Sequence, residues 1–222
     1  MAINMRSRGL VDNLNKFNFH ILGCGAIGSA AAIQLCRMGA TNFALYDNDK
    51  VDTANIGVSQ YTMYDVDYPK VDMLSGKLKD ISIDLDVQCV DEKFINYIHM
   101  NDDDIIILGF DSMQSRMDAV KAINNWQGCK PYALIDGRMG AEHYQQYVLL
   151  RPTLKDYKKI WYSDENGSEE PCNMKATSYC SNMSGSFIAN AVRKIVKEQP
   201  YEDFVSFHFP TMSIEKNSCI FK

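Results

Sequence analysis

No apolar run in this sequence approaches the ~20 residues that a membrane-crossing helix needs, so no membrane partner is expected. The first stretch, MAINMRSRGLVDNLNK, lacks the apolar centre of a secretory signal, and a cytoplasmic address is expected. Positive charge is not in excess. The formal net charge is −5, which removes the general electrostatic ground for a nucleic-acid partner. The seven cysteines contain no C-x-x-C pair, and an odd number at irregular spacings does not form a disulfide framework. Paired zinc knuckles are thereby excluded, no zinc is expected, and most cysteines are expected to be small buried hydrophobes. No linker, repeat or low-complexity tract divides the 222 residues, which are expected to form one domain, 1–222.

What is present is the composition of a globular protein, 46% hydrophobic and 23% charged, and one organising stretch, FNFHILGCGAIG. Phe19, Ile21 and Leu22 form a short apolar run that stops at Gly23. Gly23, Gly25 and Gly28 follow as G-x-G-x-x-G, before the helix-like Ser29-Ala30-Ala31-Ala32. A strand that feeds a helix through such a turn leaves backbone N–H groups free, and the missing Cβ atoms let a phosphate approach them. Helical spacing over 27–38 ends at Gly39. The next strand, 43–46, ends at Asp47, about twenty residues past the glycines, where nucleotide-binding units place an acid on the ribose hydroxyls. The plain alternative is a solvated acidic turn made by Asp47, Asp49 and Asp52.

Residues 49–65 read as a long polar loop, of a length that is usually functional or mobile. Lys70 follows Pro69 and opens a helical pattern (Val71, Leu74, Leu78). Ile83, Leu85, Val87 and Cys89 alternate as a half-buried strand. The run 105–108 reads as a central parallel strand ending in Gly109-Phe110-Asp111, and 113–126 as a helix. A further strand, 132–135, ends in Asp136-Gly137-Arg138, and 147–150 pairs with it antiparallel across a short connection. Residues 1–16 are expected as an arm and 151–173 as an exposed crossover. A helix over 174–197 follows, then a strand or hairpin arm at 204–209 and a polar tail. The expected fold is α/β and Rossmann-like. A mainly parallel twisted sheet carries helices on both faces and antiparallel strands toward the C-terminal part. The strand-end residues Gly23 to Gly28, Asp47, Asp111 and Asp136 to Arg138 should then share one crevice.

The order of these motifs resembles the ThiF/MoeB family, which shares the fold of ubiquitin-activating enzymes, and in particular its smaller prokaryotic and phage-type members. The residues that carry the resemblance are GCGAIGS, Asp47-Asn48-Asp49-Lys50-Val51, Asn55, Gln60, Lys70, DSMQSR (111–116), Ile135 to Gly140 and Pro171-Cys172. It implies ATP-dependent adenylation of a C-terminal carboxylate, on a ubiquitin-like or sulfur-carrier protein or a peptide, with Mg2+ and release of pyrophosphate. It implies that Gly23, Gly25 and Gly28 hold the nucleotide, and that Asp47 and Asp49 lie at the nucleotide, with Asp47 on the ribose. Asn55, Gln60 and Lys70 would contact phosphates, and Asp111 would bind Mg2+. Each has a plain alternative: Lys70 as a surface lysine, Asp111 as a helix cap. A homodimer is also implied.

Two departures from the family pattern matter. The Arg that usually precedes Gln is absent from Asn55-Ile56-Gly57-Val58-Ser59-Gln60. Arg138, or Arg6 or Arg8 reaching across a dimer, is the expected replacement, and an ion pair to Asp136 or Glu142 is the alternative for Arg138. No large insertion carries a separate catalytic-cysteine domain. Cys172, at the start of the last long helix, is the candidate reactive thiol. The competing functions are an NAD(P)-dependent oxidoreductase using the same glycines and Asp47, and a degenerate protein that binds nucleotide or partner without catalysis.

Overall fold

The computed structural model describes residues 6–166 and 176–221. Strand β1 (Asn18–Leu22) leads through the glycine turn into helix α1 (Ala26–Arg37) and strand β2 (Asn42–Tyr46). A short helix α2 (Thr53–Ile56) and helix α3 (Lys70–Ile81) precede strand β3 (Asp86–Val90). Strand β4 (Asp104–Leu108), helix α4 (Met113–Asn125), strand β5 (Ala133–Gly140) and strand β6 (His143–Leu150) follow. The chain then forms helix α5 (Leu154–Tyr157), helix α6 (Ser178–Val196) and strands β7 (Phe204–His208) and β8 (Ser213–Asn217). Among the described residues no helix is long and apolar enough to cross a membrane.

The eight strands form one sheet in the order β3-β2-β1-β4-β5-β6-β7-β8. Pairing is parallel from β3 to β5 and antiparallel from β5 to β8, as the sequence leads one to expect. After β1 the chain winds outward to β2 and β3, then returns to lay β4 on the other side of β1. That reversal lies between the ends of β1 and β4, where sheets of this type open a crevice.

Alternation along each strand divides the core in two. Phe19, Ile21, Ile105, Ile107 and Ile135 pack with Leu35, Leu74, Ile188 and Val192 on one face. Leu22, Ile106, Leu108 and Leu134 pack with Met117, Val120, Ile123, Tyr97 and Tyr157 on the other. The Ile105 to Leu108 side chains are fully buried, and each such residue contributes about 1.5–3 kcal/mol. Helices α1 and α6 cross closely. A Cβ on Gly185 would lie 2.7 Å from the Ala30 backbone, and the Ser181 hydroxyl donates to the Ala26 carbonyl at 2.9 Å.

Four expectations need correction. The polar tail contains β8, exposed throughout and held by backbone pairing to β7, so its sequence shows no buried alternation. Residues 153–166 are not uniformly exposed: Tyr157 is fully buried and Trp161 half-buried against α4. The described part of the N-terminal arm is anchored, since Val11 and Leu14 join the core. Strand β5 does not end at Asp136. It runs on to Gly140, because antiparallel β6 keeps pairing it beyond the point where parallel β4 stops.

Candidate functional site

At the carboxyl end of β1 the backbone itself requires glycine. Gly23 has φ +87° and donates its N–H to the Tyr46 carbonyl at 2.8 Å. Across the reversal the Gly109 N–H donates to the Leu22 carbonyl at 2.7 Å. A Cβ on Gly23 would lie 2.8 Å from the Gly109 backbone, and one on Gly28 only 1.8 Å from the Gly23 oxygen. Gly25 differs from both. A Cβ there would meet nothing within 4 Å, and Gly25 is the N-cap of α1 with no side chain capping the helix. The first N–H groups of a helix have no intrahelical partner and carry partial positive charge. Helix α1 therefore presents donors to open space, which fits a phosphate.

Asp47 stands beside this opening. One carboxylate oxygen accepts from the Cys24 N–H at 2.7 Å and the other from the Asp49 N–H at 2.9 Å. Each oxygen keeps a lone pair for a further donor. Burial raises the Asp47 pKa above its ordinary value, against the opposing pull of the Lys70 charge and the two N–H donors. Lys70 opens α3. Its Nζ lies 2.7 Å from Asp49 Oδ2, and its backbone N–H bonds the Asp49 carbonyl. The lysine is nearly buried while Asp49 is open to solvent, so the ammonium is held in place with N–H groups to spare.

The loop after Asp49 closes over α1. The buried Tyr61 hydroxyl lies 2.7 Å from the Cys24 carbonyl and 3.2 Å from that of Lys70, fastening the glycine turn to α3. The Gln60 N–H donates to Ser29 Oγ at 3.2 Å, and its side-chain amide donates to Asn182 of α6 at 2.9 Å. Asn55 is engaged locally, where its Oδ1 accepts the Asp52 N–H in the capping box of α2. Tyr61 was not foreseen in the sequence. Its only mark there is an aromatic residue in a polar loop.

Asp111 follows β4 and is exposed, with no hydrogen-bond or ion-pair partner among the described residues. The cap of α4 comes from elsewhere. Ser112 Oγ accepts the Ser115 N–H, and the Asp164 carboxylate accepts from the Met113 and Gln114 N–H groups at 2.6 and 3.1 Å and from the Ser112 hydroxyl. An exposed carboxylate with free lone pairs is the donor type Mg2+ takes.

Arg138 does not lie free at a strand end. Its Nε and Nη2 donate to Asp136 Oδ2 at 3.0 and 2.7 Å, its Nη1 donates to the Ile160 carbonyl, and its guanidinium lies over the Tyr147 and Tyr162 rings. The expected phosphate arginine is thus the ion pair named as its alternative. Asp136 also accepts from Arg116 and from the Tyr157 hydroxyl. Burial alone would raise this carboxyl, but the two guanidiniums outweigh it and hold the pKa below the ordinary range.

Arg6 and Arg8 are exposed. Cys172 lies outside the described residues. Of the other cysteines, Cys24, Cys36 and Cys180 are buried, and burial raises all three thiols, Cys36 and Cys180 to about 11. Cys89, Cys129 and Cys219 are exposed, contrary to expectation. Away from the crevice, His20, His99 and Asp104 bring ligand-type atoms within 4.8 Å of one another. Asp104 is already engaged there by His20, Asn18 and the Asn101 N–H.

The profile of the ThiF family matches residues 2–220. The chain is 29% identical over 142 residues to ubiquitin-like modifier-activating enzyme 5 of Branchiostoma floridae, covering 56% of this chain and 35% of that protein. It is 32% identical over 78 residues to tRNA threonylcarbamoyladenosine dehydratase of Bacillus subtilis (strain 168), covering 35% and 31%. The matches thus span about a third of the length of these relatives. The structure of E. coli MccB with ATP is similar at a TM-score of 0.72 and 16% identity, over 94% of this chain and 65% of that one. The structure of PaaA is similar at 0.72 and 16%, over 100% and 69%. At such identity these structures speak for the fold alone.

Proposed function

The chain belongs to the ThiF family, and on that premise we propose that it is an ATP-dependent adenylyltransferase. Its substrate in this reading is the C-terminal carboxylate of a peptide or of a ubiquitin-like or sulfur-carrier protein. One observation carries the reading: the N-cap of α1, Gly25, supplies no side-chain cap and has open space where a Cβ would stand, beside Asp47 and the buried Lys70. The likeness to an activating enzyme for a ubiquitin-like modifier supports it, on a fold shared with MccB.

In the reaction a carboxylate oxygen attacks the α-phosphorus of ATP. A new P–O bond forms, the bond to the bridging oxygen breaks, and pyrophosphate leaves with the electron pair. Two anions must meet, so the site has to hold negative charge before and during transfer. The N–H groups at the start of α1 and the Lys70 ammonium take the phosphates, with the Gln60 side chain beside them. Asp47 accepts from the ribose hydroxyls. Mg2+ held by Asp111 would offset phosphate charge when bound. With Arg138 tied to Asp136, the further phosphate cation in this reading is Arg6 or Arg8 of a second copy in a homodimer.

An NAD(P)-dependent oxidoreductase would use the same glycines and Asp47 but has no general need for Lys70 or a free Asp111. ATP–pyrophosphate exchange with Mg2+ separates the two, run with peptides and carrier proteins that end in Gly-Gly. Adenylation predicts carrier-dependent exchange that disappears in Lys70→Ala and Asp111→Ala proteins. Binding of NAD(H) in place of ATP would overturn it.

A further inference from the structure

We propose that residues 157–164 form a strap that positions Asp111, with the buried Asp136 carboxylate as the anchor common to strap and turn. The role assigned to Asp111 rests on the adenylation reading; the strap itself rests on geometry.

The turn from Gly109 to Ser112 contains no regular structure, yet the backbone on both sides of Asp111 is held by side chains. Before it, Arg116 donates to the Leu108 carbonyl at 3.3 Å and to the Phe110 carbonyl. After it, Asp164 takes the Ser112 hydroxyl and the Met113 and Gln114 N–H groups, while the Trp161 indole N–H donates to the Met113 carbonyl at 2.8 Å. Only the Asp111 side chain is left free. A carboxylate whose neighbours are fixed loses less freedom on taking a ligand.

Both sets of restraints lead to Asp136. Its Oδ1 holds Arg116, which grips the turn. Its Oδ2 holds the Tyr157 hydroxyl at 2.9 Å and Arg138, which in turn bonds the Ile160 carbonyl of the strap. Tyr147 and Tyr162 cover the Arg138 guanidinium. Burying one carboxylate with two guanidiniums is a costly way to gain stability. As a junction between strap and turn the arrangement has a use, because any displacement of residues 157–164 is transmitted to the turn that carries Asp111. Arg116, Asp136, Trp161 and Asp164 are thus positioning residues.

The test uses the full chain with Asp164→Ala and Trp161→Phe, both at positions outside the fully buried core. Two quantities are read: amide hydrogen exchange over residues 110–114, and Mn2+ affinity in the presence of ATP by water-proton relaxation. Asp164→Ala should speed exchange at Met113 and Gln114, whose N–H groups it holds, and, by releasing the backbone next to Asp111, weaken Mn2+ binding about tenfold, the low end for losing a group that orients a metal ligand. Asp164→Asn, which keeps one acceptor oxygen, should recover part of both. Faster exchange with unchanged Mn2+ affinity would make Asp164 a helix cap only, and unchanged exchange would remove the strap; either overturns the proposal. Normal Mn2+–ATP binding without pyrophosphate exchange would count against the adenylation reading instead, since the Asp164→Ala comparison stands without turnover.

Discussion

Two helices begin at the same crevice, one after each of the central strands, and their N-termini are treated in opposite ways. Helix α4 is closed, with Ser112 capping it and Asp164 on its first N–H groups. Helix α1 is left open at Gly25, with no side-chain cap and no atom where a Cβ would stand. The acids beside them differ in the same sense. Burial raises the pKa of Asp47 at the open end, whereas at the closed end the desolvation of Asp164 is outweighed by the Met113 and Gln114 N–H groups, the Ser112 hydroxyl and the Arg116 charge together, which lower its pKa. A fold that satisfies one helix end with its own carboxylate and leaves the adjacent one without a side-chain cap keeps the second available to an anion.

The largest effect should come from the junction behind the closed end. Asp136→Asn leaves Arg116 and Arg138 buried without an anion, and a loss of about 3–5 kcal/mol is expected in urea unfolding. At the open end the glycines should separate. Gly28→Ala forces a Cβ into the Gly23 oxygen and should cost about 3 kcal/mol, while Gly25→Ala should cost about 1 kcal/mol or less and act mainly on ligand binding. Equal destabilisation by the two would break the contrast. Lys70→Ala should lower ATP turnover about 100-fold, the scale of losing one group that stabilises developing charge.

The smallest effect is a difference in sign with pH. Asp164 has a lowered pKa when folded, so the unfolded chain binds more protons there, and its contribution is lost as pH falls through the carboxylate range. Asp47 has a raised pKa, so the folded chain binds more protons, and acidification through the same range favours folding at that position. Stability curves between pH 6 and 3 should therefore flatten in Asp164→Asn and steepen in Asp47→Asn. Carbon-detected titration of the two carboxyl groups would show the same ordering directly.

The open end was legible in the sequence because its rules are local. Three glycines between an apolar run and a small-residue helix, and an acid at the end of the next strand, are fixed by backbone approach over a short span. The closed end was not. Asp164 and Trp161 reach α4 from far along the chain, in a segment whose composition reads as solvent-exposed, and nothing in DENG marks a carboxylate that caps another helix. Arg138 was misplaced for a related reason. Parallel pairing alone would end β5 at Asp136, but the antiparallel partner extends it and turns the arginine back onto its neighbour. Strand β8 escaped because an edge strand exposed on both faces needs no apolar pattern.

The most direct test is ATP titration by calorimetry of the wild-type chain, Gly25→Ala and Asp164→Ala, each with its unfolding midpoint measured alongside. If the open N-terminus of α1 holds the phosphates, Gly25→Ala loses ATP affinity at least about tenfold while remaining folded, since only that glycine lets the backbone reach them. Asp164→Ala should leave metal-free ATP affinity unchanged. Full ATP affinity in folded Gly25→Ala protein would contradict the account.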